Sequence, residues 1–287
     1  MSLSLVQILV SGLLLGAVYA LFSSGLTLIW GMMNVVNFAH GDFVMIAMYT
    51  AFLIWKMLGG GPFVAMPVAA LLLATIGIIA YLGLVRHIMR GPMLAQILGT
   101  FGLALLLRYG MFWGFGANFL SLPENLVGGT FEWQGLRLQA SRLMGGGVAV
   151  ALTLGLHLLL TRTALGSRML AVSEDATAAQ LMGIRPDQMQ AVAWGLAAGM
   201  TGIAGALIAT FFYISPTVGE NLAIVAFVTV SLGGFGSVPG ALVAGLLIGV
   251  IESFSGYLIG AVYKDIVVYI LFIAVLWFRP QGLMGKS

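Results

Sequence analysis

The sequence predicts an all-α, polytopic integral membrane protein of eight to nine transmembrane helices, with glycine-rich breaks between some of them. Three observations carry that expectation. The chain has 287 residues, of which 61% are hydrophobic and only 7% charged, whereas a soluble domain carries about a quarter charged residues. Its mean hydropathy is +1.09, and apolar runs near the ~20 residues needed to cross a bilayer recur from end to end. Its 40 glycines are spread through those runs. Pairs such as Gly12 with Gly16, Gly195 with Gly199 and Gly245 with Gly249 have the spacing at which helices approach closely in lipid.

The spans read in order as roughly 5–29, 37–58, 63–85, 93–115, 143–161 and 190–213. Two later runs, 238–260 and 264–279, flank a Tyr263-Lys264-Asp265 turn. Between them and the first six lies a shorter run, 220–235, which leads into Ser231-Leu-Gly-Gly-Phe-Gly-Ser-Val-Pro-Gly240 and could span, re-enter or break. That ambiguity sets the count at eight or nine. The opening MSLSLVQILV has neither a basic region nor a small-residue cleavage site, so it reads as the start of a retained first span.

The basic loops set the orientation. Arg86 and Arg90 mark one loop, Arg162, Arg168 and Arg185 another, and Arg279 with Lys286 the C-terminal end. An even number of spans separates each pair, which places all of them on the cytoplasmic side. The pI near 9.3 therefore reports topology rather than nucleic-acid binding. The opposite side receives 116–142, 213–219 and the Tyr263-Lys264-Asp265 turn. Arg137 and Arg142 in the first of these stand beside Glu124 and Glu132, which weakens the asymmetry without reversing it. Nine spans put the N-terminus outside, and eight spans with 30–40 re-entrant would change only the front.

Two stretches interrupt the helical pattern at membrane depth. One runs from Trp30 to Asp42 and holds Asn34, Asn37, His40 and Asp42; the other holds Gly233, Gly234 and Gly236. Non-helical backbone survives there only where protein or a water-filled cavity satisfies it, and such breaks in both halves of a transporter mark a pathway. Ordinary tight turns are the other reading. Asp42 is expected to cap the second helix. Of the charges inside apolar spans, Arg108 is expected to snorkel outward and Glu252 to face the bundle interior, with a pair between them open. His87 and His157 carry no evident chemistry.

The stretch 162–187 holds six of the 21 charged side chains in 26 residues. Within it, Ser173 can cap a helix of about ten residues. Glu174 and Asp175 fall in its first turn, Gly183 closes it, and Pro186 stops it. A helix that short is marginal in water, so it needs a docking surface. Ala178, Leu181 and Met182 form its apolar stripe, which either rests on the same chain or is offered to a partner.

Several chemistries are excluded. With no cysteine there is no disulfide and no thiolate metal site. No GxxxxGK[ST] segment, Ser/His/Asp arrangement or HExxH motif occurs, so the chain is not expected to be an enzyme or to hold a cofactor or metal. Energy for active transport would have to come from a separate subunit or an ion gradient.

Three stretches resemble the permease family of ABC importers for branched-chain amino acids. Asn37-Phe-Ala-His-Gly-Asp42 is similar to its NFAHG[DE] signature, residues 171–184 to its AxxEDxxxAxLxGI segment, and residues 232–241 to its LGGxGSxPGA turn. Tyr263-Lys264-Asp265 and Arg279-Pro-Gln-Gly-Leu283 are similar to late features of these permeases. The resemblance implies a single transmembrane permease domain, 1–287, with a periplasmic loop at 116–142 and a cytoplasmic coupling loop at 162–189. It also implies a bacterial inner-membrane location and three kinds of partner: a homologous second permease, two ATPases that consume the ATP, and a periplasmic binding protein.

Carried over by position, the ATPase-coupling residues are Glu174, Asp175, Ala178, Ala179, Leu181, Gly183 and Ile184. The pathway residues are Asn34, Asn37, His40, Asp42, Gly233, Gly234, Gly236 and Glu252. The approach 219–228, with Glu220 and Asn221, departs from some relatives and leaves the solute open. A urea or short-amide permease of the same family, an ion-coupled carrier using Glu252 and Asp42, and a passive channel are the rival readings.

Overall fold

The computed structural model describes residues 3–123, 126, 128–133, 136–279 and 281–285. Glu124, Pro280 and Lys286 lie outside the described residues. The chain is a helical bundle, and seven of its helices are long and apolar enough to cross a membrane. Helix α1 covers Leu3–Met33, α2 His40–Leu58, α3 Pro62–Ile88 and α4 Met93–Phe115. After a short hairpin come α5 (Ala140–Arg162), α6 (Ala164–Glu174), α7 (Ala176–Leu181), α8 (Pro186–Ile208), α9 (Val218–Gly233), α10 (Val238–Leu258) and α11 (Lys264–Phe278). With α9 and α11 as shorter apolar helices, the bundle agrees with the expected eight to nine spans.

Small residues decide which helices touch most closely. A Cβ added at Gly12 would stand 2.8 Å from Gly249 O, and one at Gly77 would stand 2.7 Å from Trp194 O. Backbones therefore meet directly along the α1–α10 and α3–α8 seams, the packing mode that replaces hydrophobic drive in lipid. Helix α4 is the opposite case. Only Thr100 and Ala104 along its length are buried.

The front of the chain differs from the expected run of whole spans. Helix α1 has 31 residues, a length of about 46 Å. The chain then turns back into the bundle. His40, the first residue of α2, brings its Nε2 to 2.7 Å from Phe22 O, about three turns before the end of α1. Asn34 takes a φ of 53° at the reversal, and Asn37 Oδ1 accepts the Ala39 N–H at 3.1 Å.

Helix α9 is the counterpart. At 16 residues it reaches about 24 Å, less than a full hydrocarbon core. Its start lies against the start of α2, where a Cβ at Gly219 would be 3.0 Å from Asp42 Cα.

Helix α3 extends past the expected limit at 85 and carries a π-helical turn, Tyr81–Val85. The loop 116–142 is not plain loop. Strands β1 (Thr130–Trp133) and β2 (Leu136–Gln139) pair antiparallel, with Glu132 opposite Arg137 and the two charges 2.8 Å apart. Period-two alternation in Phe131-Glu132 and Arg137-Leu138 accounts for it. Gln7 Nε2 donates to Arg137 O, so the hairpin sits at the N-terminal end of α1.

Candidate functional site

Two regions could do work, one at the coupling-loop end of the bundle and one where α2 and α9 meet.

The loop 162–189 forms two helices where the sequence suggested one. Ser173 does not cap: its Oγ donates to Leu170 O inside α6, and Glu174 ends that helix. Asp175 breaks the pattern instead. With φ −152° and ψ 103°, it accepts the N–H groups of Thr177 (2.8 Å) and Ala178 (2.9 Å), which makes it the N-cap of α7 rather than a first-turn acid. An acid two places nearer the apolar run competes better for those donors than the serine does.

The far end follows the expectation. Gly183 has φ 82°, its N–H donates to Gln180 O, and Ile184 N–H donates to Ala179 O. That pairing is a Schellman closure, in which glycine relieves the left-handed position. Pro186 then opens α8 as its first residue.

The apolar stripe of α7 is divided. Ala179 is buried against the chain, whereas Leu181 is 84% and Met182 82% exposed, with Ala178 exposed beside them. Six residues cannot hold a helix in water on their own, so capping at both ends and the Ala179 anchor fix a presented apolar edge. Nearby, Tyr81 Oη on the π turn donates to Gln190 Oε1 at 2.6 Å and to Asp187 Oδ1 at 3.3 Å, joining α3 to the start of α8.

At the junction of α2 and α9, the sequence reading is overturned in two places. Asp42 does not cap α2, whose N-cap is Ala39, a residue with no side-chain acceptor to offer. Its fully buried carboxylate is paired with Arg108 Nε of α4 at 3.2 Å. Arg108 does not snorkel: its Nη1 also reaches Glu220 Oε2 at 3.0 Å, in the first turn of α9. A buried carboxylate is tolerated only when paired, and the two facing helix N-termini favour both acids. Asp42 is enclosed, while Glu220 has 62% of its side chain exposed.

Below these charges the Phe38 and Phe227 rings lie 5.4 Å apart, and Thr100 Oγ1 of α4 donates to Val36 O. Asp42, Arg108 and Glu220 thus form a charged cluster that ties α2 and α9 to the thinly covered α4. His40 is buried and bonded to Phe22 O, with Nδ1 unpartnered among the described residues.

The other residues expected to line a pathway are elsewhere. Gly233, Gly234 and Gly236 form the turn between α9 and α10, beside Asn34's end of α1, since the Trp30 and Phe235 rings are 4.6 Å apart. There Thr27 Oγ1 accepts the Gly236 N–H at 2.9 Å, and the tail donates Leu283 N–H to Leu232 O and Met284 N–H to Gly233 O. Glu252 lies at the hairpin end, paired with Lys264 rather than Arg108.

The structure thus divides the expected pathway set among three places. Sequence reasoning missed the Asp42–Arg108–Glu220 cluster. Its signal was one cation in the fourth apolar run and acids at two helix starts, which nothing local could pair. No group of three or more potential metal ligands occurs among the described residues.

Comparison with known proteins agrees over nearly the full length. Residues 8–276 match the family described as branched-chain amino acid transport system / permease component. The chain is 31% identical over 293 residues to the high-affinity branched-chain amino acid transport system permease protein BraD of Pseudomonas aeruginosa, covering 98% of this chain and 95% of that protein. It is 29% identical over 297 residues to the corresponding protein LivH of Escherichia coli, with the same coverage of 98% and 95%. To the permease protein LivM of Escherichia coli it is 27% identical over 304 residues, covering 94% of this chain and 68% of that protein. No solved structure matches. A 31% identity spread over the whole chain, with the helix junction, the coupling loop and the glycine turn all inside the matched region, establishes that the chain belongs to the branched-chain amino acid transport system permease family.

Proposed function

We propose that this chain is the transmembrane permease subunit of an ATP-driven importer of branched-chain or other hydrophobic amino acids, set in a bacterial inner membrane. The observation that carries the proposal is α7, a helix capped at both ends that holds Leu181 and Met182 outward on a loop rich in cations. An exposed apolar edge on a water-facing loop calls for a protein partner. Two cytoplasmic ATPases supply it and the energy as well, since the chain carries no phosphate loop.

ATP-dependent closure of the ATPases displaces Glu174, Asp175, Ala178, Ala179, Leu181, Gly183 and Ile184 as one rigid knob. Through Tyr81 and Gln190 the displacement reaches α3 and α8. A homologous second permease, for which the similar permease protein LivM of Escherichia coli is a pattern, covers the open side of α4. Solute then crosses between the two permeases, past Glu220, Arg108 and the Phe38–Phe227 pair, after delivery by a periplasmic binding protein.

The ion-coupled rival is less well supported, because Asp42 and Glu252 are each paired to a cation. The test is uptake of radiolabelled leucine by cells expressing the chain with its partner subunits, alongside purification of the complex. Gly183→Pro is expected to abolish uptake and ATPase copurification while leaving membrane insertion intact. Leucine uptake by liposomes holding this chain alone would overturn the proposal.

A further inference from the structure

At the hairpin end, away from the helix junction, lies a feature the transport reading does not use. A cavity of ≈ 170 Å³ is lined by Ser11, Arg142, Phe211, Phe212, Ser253 and Lys264. A shallower groove of ≈ 410 Å³ continues from Ser11 and Ser253 along α1 past Gln7 and Ser4 to Tyr257. Arg142 and Lys264 stand in the first turns of α5 and α11, where the aligned peptide dipoles already leave positive charge and an acid is the favoured residue. The first turn of α5 contains no acid at all.

The two cations are treated differently by the fold. Lys264 has a carboxylate, Glu252, as its partner, and Asp265 follows it in the chain. Arg142 has none among the described residues: its Nε is buried without a hydrogen-bond acceptor, and its guanidinium lies 5.7 Å from the Phe211 ring centroid. Lys264 lies similarly over Phe212, at 5.9 Å. A buried guanidinium edge with no acceptor is costly, and a ring face offers it no hydrogen-bond acceptor. Arg142 Nε–H is the donor left without an acceptor among the described residues, and the hydroxyls of Ser11 and Ser253 line the same cavity, a donor set that suits a phosphate's several oxygens.

The location narrows the source. The cavity opens at the end of the apolar spans, next to exposed Tyr257 and Tyr263, where aromatic side chains mark the bilayer surface. The groove beyond it is lined by Ser4, Gln7 and Ser11 with Ile8 and Tyr257.

We infer that this cavity is a phosphate-binding site for the head group of an anionic membrane lipid, with Arg142 as its principal ligand and Ser11, Ser253 and Lys264 completing it. The acyl chains run along the outer faces of α1 and α10. The site does not depend on what the permease carries.

The test uses the full-length chain purified in neutral detergent, with retained lipid counted by native mass spectrometry and melting followed as dioleoyl-phosphatidylglycerol is titrated in. Wild type is expected to hold phosphatidylglycerol and to melt at higher temperature when it is added. Arg142→Gln is expected to bind it about tenfold more weakly, the loss of one charge-assisted contact. Arg142→Lys, which keeps the charge but not the planar fork, is expected to fall between and guards against a folding defect in the first variant.

Arg137→Gln, at the exposed cation paired with Glu132, is the control and should bind as wild type does. Displacement of the lipid by millimolar inorganic phosphate would keep the phosphate site and assign it to free phosphate. Equal retention by wild type, Arg142→Gln and Arg142→Lys, or equal loss in Arg137→Gln, would overturn the inference.

Discussion

The two interruptions of the bundle are built from different materials. The first, residues 34–39, is held by side chains: Asn37 Oδ1 accepts the Ala39 N–H, His40 reaches back to Phe22, and Asp42 just beyond is pinned by Arg108. The second, residues 234–237, is held by backbone. Gly234 and Gly236 have φ of 100° and 81°, Ser237 Oγ caps α10, and the tail adds two main-chain hydrogen bonds. A side-chain clamp that includes the partly exposed Glu220 depends on side chains that can change rotamer. A glycine turn sewn to the tail resists any such change.

The comparison can be broken most forcefully at the clamp. Arg108→Leu leaves the buried Asp42 carboxylate unpaired, at a cost of about 3–5 kcal/mol. The double variant Arg108→Leu, Asp42→Leu should recover most of that, as read from unfolding in detergent; an unchanged single variant would show that Asp42 is not held as a charge. Next is Gly234→Ala. A Cβ there would meet Gly285 Cα at 2.6 Å on top of a left-handed φ, for a loss of about 2–3 kcal/mol. Shortening the tail before Gln281 should relieve part of it, and no relief would mean the tail does not bear on the turn.

Smaller still, Thr27→Val removes the acceptor of Gly236 N–H and should cost about 1–2 kcal/mol. Equal stability would show that water takes the threonine's place. Outside both breaks, the double variant Leu181→Ser, Met182→Ser should change stability by less than about 0.5 kcal/mol, both residues being exposed. Leucine uptake should nevertheless fall to background, and normal uptake would remove α7 from the coupling role.

The sequence made the spans and the helix closing at Gly183 legible because both rest on local signals: apolar run length, charge placement and a glycine past a helix end. Gly183 closes α7 as its position suggested, whereas Ser173 lost the capping role to Asp175, a contest between neighbours that spacing alone does not decide. The pairing of Asp42 with Arg108 and Glu220 was not legible, because it joins residues separated by 66 and 112 positions. The same holds for Glu252. Its depth in an apolar run was plain, but Lys264 reaches it only because the chain reverses between α10 and α11. Short strands in the 116–142 loop were overlooked because four-residue alternation is a weak signal.

The α1–α10 seam has a mechanical consequence. Where Gly12 meets Gly249 backbone to backbone, the small Ser253 hydroxyl is the side-chain group nearest the contact, so little can slide or change rotamer there. The two helices therefore form a stiff beam, and any opening and closing of the protein must be taken up elsewhere. The compliant seams are those closed by longer side chains or barely closed at all, foremost the one along α4. A crosslink between α1 and α10 should leave a transport cycle untouched, and one that fixes α4 to α2 should stop it.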